Sequence, residues 1–251
     1  MLKEERHQLI LDLLKNNGRV VATDLSRKFE ISEDTIRRDL RELADAGQLV
    51  RVHGGGLPHS PASASFSERL QQAPEAKKSI ARAALQLIHD GQVILIDGGT
   101  TNLLVTQQLP ESLRATIITN SPMIAVEACR LTHVDVIQIG GRVYKESLVT
   151  SGAVAVQALQ EMHVDLGLLG VCSLHPDLGI TVPDLEEAQV KRAMLQAADQ
   201  VAALASAEKL GTAATHTVAP ISALMYLITD GSVSDEVLDS YRASGVTVFS
   251  K

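Results

Sequence analysis

The chain has 251 residues, 23 Lys and Arg against 30 Asp and Glu, two Cys, no Trp and 2% aromatic residues. Two cysteines exclude a disulfide framework, and the lack of a signal peptide or a twenty-residue apolar run predicts a cytoplasmic chain without a membrane partner. Scarce aromatics argue against reading single strands or RNA by base stacking, and the length accommodates a small head plus one larger domain.

Helix-forming periodicity begins at once. Leu9, Ile10, Leu13 and Leu14 recur at three- and four-residue spacing, predicting a helix from about Lys3 to Asn16 with these on one face and Asn17-Gly18 ending it. Thr23 is the expected N-cap of a second helix with Leu25 and Phe29 inward. Ser32 is the expected cap of a third, whose Ile36, Leu40 and Leu43 form a buried stripe. Gly47 ends that helix, and the alternating run Leu49 to His53 enters three glycines as a wing would. Two helices, a capped turn and a wing form a device for placing a helix in the DNA major groove.

Arginine suits that task because its planar fork makes paired hydrogen bonds to guanine or to phosphate. Ser32, Thr35, Arg37, Arg38, Arg41, Arg51 and His53 are the candidate DNA-binding residues, with Thr35, Arg37 and Arg38 nearest the bases. The alternative for the RRDLRE run is a solvated face laced with ion pairs from Asp39 and Glu42. Its setting after a capped turn and before a wing favours the DNA reading. The segment ISEDTIRRDLRELADAGQLVRVHGGG, with TIRRDL and RVHGG, resembles the N-terminal domain of the DeoR family of bacterial transcriptional regulators, and Arg6 and LILDLL stand where that family has an Arg and an apolar helix.

Met1–Leu57 carries ten basic and ten acidic residues, so the entire excess of seven acids lies beyond it. Residues 58–72, rich in Pro, Ser and Ala at their start, are expected as a linker, which divides the chain into a winged helix-turn-helix domain at 1–57 and an α/β effector-sensing domain at 73–251. The second domain alternates short apolar runs with helices. A helix is expected over Ala73–His89. Strands are expected at Val93–Ile96, Ala115–Thr119, Val134–Ile139, Asp165–Gly170, Val201–Ala205, Leu224–Thr229 and Val246–Ser250. The intervening helices are Asn102–Leu109, Pro122–Arg130, Gly152–Met162 and Leu185–Ala198. Such a pattern predicts a largely parallel sheet covered on both faces, with ligands at the carboxyl strand ends.

Polar and glycine residues recur at those ends: Asp97-Gly98-Gly99-Thr100-Thr101-Asn102, Thr119-Asn120-Ser121 and Gly140-Gly141-Arg142. The first is either a phosphate cradle, with backbone N–H groups and a helix N-terminus facing an anion, or a tight strand-to-helix turn; three such ends favour a site. IDGGTTN, ITNSP, IGGR, the Gly152 segment, VDLGLLG, EEAQVKRAML and Lys209-Leu210-Gly211 follow the order of the DeoR family's effector domain, which is similar in fold to ribose-5-phosphate isomerase. The resemblance implies a repressor of a carbohydrate-use operon, at least a dimer, with double-stranded operator DNA and a phosphorylated sugar-type effector as partners. It puts Gly98, Gly99, Thr100 and Thr101 on the phosphate, Asp97 and Asn120 on hydroxyls, Lys209 as positive charge, and adds Arg142 and Lys191. Ser206 stands where many members of the family have Asp, so that residue's contact does not carry over.

Two rivals remain. An isomerase needs a positioned carboxylate, and Val171-Cys172-Ser173-Leu174-His175 offers none before Asp177, while Glu186 and Glu187 read as a solvated helix face or as N-terminal charges favoured by the helix dipole. No catalytic residue is therefore assigned. Cys129 and Cys172 read as buried small hydrophobes, and His133, His163, His175 and His216 lack ligand spacing, so no metal or cofactor is expected; His175 and His216 are left open as neighbours of the sugar site. A regulator answering to an unphosphorylated ligand is the other alternative.

Overall fold

The structure, a computed structural model, describes residues 1–58 and 64–250. The N-terminal head consists of α1 (Lys3–Asn17), β1 (Val20–Val21), α2 (Ala22–Phe29), α3 (Glu33–Asp45), β2 (Val50–Val52) and β3 (Gly55–Leu57). Ile36, Leu40 and Leu43 of α3 bury against Ile10 and Leu14 of α1, Leu25 of α2 and Leu49, as the helical spacing requires. Leu9 lies off that stripe and is 40% exposed, because at 100° per residue the buried face of α1 centres on Ile10 and Leu14.

Capping differs at one helix. Ser32 accepts the Thr35 N–H at 3.3 Å and so caps α3. Thr23, expected to cap α2, lies inside it; the chain enters α2 directly from β1, and the Ala22 N–H goes to the carbonyl of Gly54 in the wing at 2.7 Å. The strands form an antiparallel sheet in the order β1-β3-β2. A Cβ on Gly55 would run into the Val20 carbonyl oxygen, so the glycine there is a steric requirement of the wing. Across the helices, Arg6 grips Asp39 through its Nε and Nη2, at 2.5 and 2.8 Å, and His7 Nε2 lies 3.2 Å from the same carboxylate.

The second domain starts earlier than the composition suggests. Part of the stretch expected as linker, Phe66–Gln71, is a helix (α4) closed by a Ser65–Glu68 capping box, with Phe66 buried in the core. Residues 59–63 of that stretch lie outside the described residues. There follow α5 (Pro74–Ala84), β4 (Val93–Ile96), α6 (Thr100–Gln107), β5 (Ala115–Thr119), α7 (Pro122–Ala128) and β6 (Val134–Gln138). Next come β7 (Arg142–Tyr144), β8 (Val149–Ser151), α8 (Ala153–Gln160), β9 (Val164–Gly170), β10 (Ser173–His175), β11 (Gly179–Val182) and α9 (Leu185–Ala197). The domain ends with β12 (Ala198–Leu204), β13 (His216–Ala219), β14 (Tyr226–Thr229), α10 (Asp235–Arg242) and β15 (Thr247–Ser250).

Seven strands form one parallel sheet in the order β15-β14-β12-β9-β4-β5-β6. Side chains alternate between its faces, and both are buried. Leu95, Ile118, Leu169 and Ala203 pack under α8 and α9, whereas Ile94, Ile96, Ile117, Leu166, Leu168 and Leu204 pack under α5, α6 and α7. Burial on both sides explains the unbroken apolar runs of the sequence. Cys172 is buried as expected, but Cys129, at the end of α7, is exposed.

Candidate functional site

On the head, α3 exposes Arg37, Arg38 and Arg41, and the wing exposes Arg51 and His53. A shallow depression between α3 and the wing is lined by Arg37, Arg51 and His53 together with Gly54 and Gly55, so the helix and wing candidates share one face. The ion-pair alternative holds for one residue: Arg37 meets Glu33 at 2.9 Å in an exposed pair that contributes little. Asp39 turns inward to Arg6, and Glu42 is drawn to Lys3 of α1 at 2.5 Å. The Ser32 hydroxyl is engaged in capping and lies 2.9 Å from that of Thr35.

In the second domain the sheet changes direction between β4 and β9. From β4 the chain builds outward through β5 and β6, then crosses back to lay β9, β12, β14 and β15 on the other side. Connections leave the carboxyl ends of β4 and β9 in opposite directions, and the crevice this opens is where open α/β sheets hold ligands. Two glycine-containing turns meet there. A Cβ on Gly98 would collide with the Val149 side chain, and one on Gly170 with the Gly98 carbonyl oxygen, so neither turn tolerates bulk. Gly99, at φ +132°, starts α6, and no side chain caps that helix, leaving its first N–H groups and its positive end facing the crevice.

The resulting pocket, about 580 Å³ including its open mouth, is lined by Gly98, Gly99, Thr100 and Thr101 together with Lys191 and Lys209. The structure thus brings together six residues that the sequence singles out. Three others are placed elsewhere. Asp97, expected on effector hydroxyls, is taken up below the floor by Lys191, by the Gly98 N–H at 2.8 Å and by the Gly170 N–H at 3.0 Å. Asn120 supports the loop from behind, accepting the Gly98 N–H at 3.1 Å. Arg142 pairs with Glu186 at 2.5 Å on the surface, away from the pocket. His175 and His216, on β10 and β13, do not line it either.

Arg69, Lys77, Glu187 and Glu208 also line the pocket and were missed. Glu187 is buried rather than solvated, 3.5 Å from the Lys191 amine, and burial pushes its carboxyl up against the pull of Lys191. Burial works against the charge of Lys191, but Asp97 and Glu187 beside it more than offset this, and its amine also donates to Gly170 O at 2.7 Å. Burial and the neighbouring cations Lys209 and Arg69 lower the Lys77 amine to about 8, and burial lowers that of Lys209 as well. Several buried polar atoms of the lining have no partner: Arg69 Nε, Thr101 Oγ1, Asn102 Oδ1 and Glu187 Oε2. Buried groups of this kind are ordinarily satisfied, and their clustering here makes the lining polar. One signal for Lys77 was present in the sequence: a lysine three residues before Ile80, on the apolar face of α5. Ser206, buried, donates its hydroxyl to Glu208 at 2.6 Å.

A winged helix-turn-helix joined to an α/β domain with a polar pocket at its switch point defines a class, the ligand-responsive DNA-binding regulator. Residues 6–60 match the DeoR-like helix-turn-helix domain and residues 72–231 the DeoR C terminal sensor domain; the chain belongs to the DeoR family. It is 34% identical to the HTH-type transcriptional repressor GlcR of Bacillus subtilis, over 98% of this chain and 95% of that one. It is 31% identical to the HTH-type transcriptional regulator GlpR of Haloferax volcanii, over 99% and 98%. With the Glycerol-3-phosphate regulon repressor of Escherichia coli the identity is 29% over 92% of each. The protein is therefore a transcriptional regulator and not an enzyme. Among solved structures, ribose 5-phosphate isomerase A of Methanocaldococcus jannaschii overlays 55% of this chain and 54% of its own at 19% identity with a TM-score of 0.40, too little to argue from. No helix among the described residues is long and apolar enough to cross a membrane.

Proposed function

We propose that this regulator represses genes of carbohydrate use in the cytoplasm and releases operator DNA when a phosphorylated sugar, sugar alcohol or related metabolite fills the pocket. One observation carries the reading: the uncapped start of α6 and its Gly98–Thr101 loop face three cations, Arg69, Lys77 and Lys209, none neutralised as Lys191 is by Asp97. Backbone N–H groups, a helix N-terminus and converging amines suit a phosphoryl group. The glycerol phosphate in the name of the Escherichia coli relative agrees with this chemistry. Thr35, Arg37, Arg38, Arg41, Arg51 and His53 would face DNA, and reading two half-sites needs at least two heads, hence a homo-oligomer.

Thermal shift of the full chain against phosphorylated and unphosphorylated sugars tests the ligand class, since a ligand of the native state raises the melting temperature with its concentration. Stabilisation by a sugar phosphate and not by its parent sugar is the expected result. An equal response to the parent sugar would assign the pocket to an unphosphorylated ligand.

A further inference from the structure

We infer that the turn between β10 and β11 docks on the wing of the DNA-binding head, and that this contact carries occupancy of the effector pocket to the DNA face. The docking stands on its own; the route from the pocket rests on the phosphate reading above.

A cleft of about 650 Å³, including its open mouth, lies between the wing and the sensor domain. Arg19, Val52, His53 and Leu57 line it on the head, and Asp177 and Leu178, at the tip of the β10–β11 hairpin, line it on the sensor domain. Leu57 is buried although it stands outside the apolar cluster of the head, and Leu178 is partly buried at the tip of a turn. Arg19 and Asp177 bring opposite charges to the same cleft. Burial lowers the pKa of the His175 imidazole, Asp177 opposes this, and Arg19 adds to the lowering, so a charge of the head acts on the hairpin. His53 and Gly54 border both this cleft and the depression beside α3, which makes the wing the shared wall between the DNA face and the hairpin.

The hairpin is fixed at both ends. Gly179, at φ +77°, closes its turn, and a Cβ there would strike the Ala219 carbonyl oxygen of β13. The Asp177 N–H donates to His175 Nδ1 at 3.1 Å within the same turn. At the other end, Val171 and Cys172, directly before β10, line the effector pocket. The Leu174 carbonyl accepts the Gly211 N–H at 2.8 Å and the Tyr241 hydroxyl at 2.9 Å. Gly211 follows the turn Ala207–Lys209, whose Glu208 and Lys209 also line the pocket. The three residues of β10 thus run from the pocket lining to the cleft, about 10 Å of extended chain. So short a strand, hydrogen-bonded along its length in a close-packed setting, does not absorb a shift by bending, and a displaced lining moves the turn.

Hydrogen exchange of the full chain reads docking and route separately. Without phosphate, Leu178→Ser should speed the amides of 52–57 by at least about threefold, while 3–45 and 98–103 keep their rates. Inorganic phosphate, against chloride of matched ionic strength, should slow 98–103 in the unaltered chain and change the rates of 52–57 by at least about threefold. In Leu178→Ser, phosphate should still slow 98–103 and leave 52–57 as they were. Leu178→Ala, a milder truncation, serves if the Ser variant melts early. Equal rates for 52–57 in the variant and the unaltered chain, both without phosphate, would overturn the docking. Phosphate that slows 98–103 but leaves 52–57 untouched in the unaltered chain, or changes them equally in the variant, would overturn the route and leave the phosphate reading standing. No slowing of 98–103 would remove the phosphate reading and the route together, with the docking decided by the comparison without phosphate.

Discussion

Lys191 and Asp97 form a buried ion pair beneath the pocket, and the same carboxylate accepts the N–H groups of Gly98 and Gly170. One aspartate thus joins the turn after β4, the turn after β9 and helix α9. The pair ties the two strand ends together at the switch point, so Asp97 supports the binding loop.

Removing the cation should therefore damage the domain and not only the site. Lys191→Met leaves Asp97 and Glu187 buried without their counter-charge, a situation that costs about 3–5 kcal/mol. A denaturant titration of the full chain should show the sensor-domain transition moving by that order. A shift below about 1 kcal/mol would mean that the pair contributes little to the fold.

The head has its own buried pair. Burial works against the charge of Asp39, but the hydrogen bonds from Arg6 and His7 outweigh it and hold the carboxyl below its usual value. A carboxylate with a lowered folded pKa stabilises above the unfolded value, near about 4, and that stability is lost as pH falls through the folded value. The head should melt earlier as pH drops below about 4, and Arg6→Ala should lower its melting temperature already at neutral pH while sparing the sensor domain. Circular dichroism melts across pH check both; an unchanged melting temperature in Arg6→Ala would contradict the account.

Lys77 predicts a pH effect on binding. With its amine lowered to about 8 by burial and by Lys209 and Arg69, and with Glu208 opposing them, the charged form is the one an anion favours. Binding raises that pKa, so above pH 8 the free protein must take up a proton to bind. Affinity for a sugar phosphate should be level near neutrality and fall between pH 8 and 9 by up to about tenfold for one linked proton. Lys77→Met should bind more weakly at pH 7 and lose most of that slope. Calorimetric titrations over this range measure it, and a slope kept in full by the variant would assign it to Lys209.

How much of this was legible beforehand depends on periodicity. The unbroken runs of β4, β5, β9 and β12 and the stripe of Ile36, Leu40 and Leu43 announced themselves because burial on a sheet or on one helix face imposes a pattern. The hairpin β7–β8 and the small sheet of β10, β11 and β13 did not, since strands of three or four residues are too short to show alternation. Helix α10 buries only Leu238 and Tyr241, too few to mark a face. Within the site, the loop Gly98–Thr101 was legible because glycine and threonine at a strand end have a direct chemical reading. Arg69, Lys77 and Glu187 were not, because their roles come from three separate segments folding onto one crevice. The structural role of Asp97 was hidden for the same reason: its partner Lys191 lies 94 residues away.

On the DNA face, the exposed arginines should separate by their engagement. Arg38→Ala should cost operator binding about 1–3 kcal/mol with no change in melting temperature. Arg37, held by Glu33, should show a smaller loss unless DNA displaces the glutamate. Fluorescence anisotropy on a duplex enriched from a random pool distinguishes the two; equal, negligible losses would move the reading face off α3.

The most direct measurement is release from that same duplex by the sugar phosphate that stabilises the chain, compared between the unaltered protein and Thr100→Ala. The account predicts that both bind DNA equally, that the effector displaces the unaltered protein, and that Thr100→Ala, lacking one hydroxyl of the phosphate loop, needs at least about tenfold more effector for release. Release of Thr100→Ala at the same effector concentration would contradict it and place the sensing of the ligand outside the Gly98–Thr101 loop.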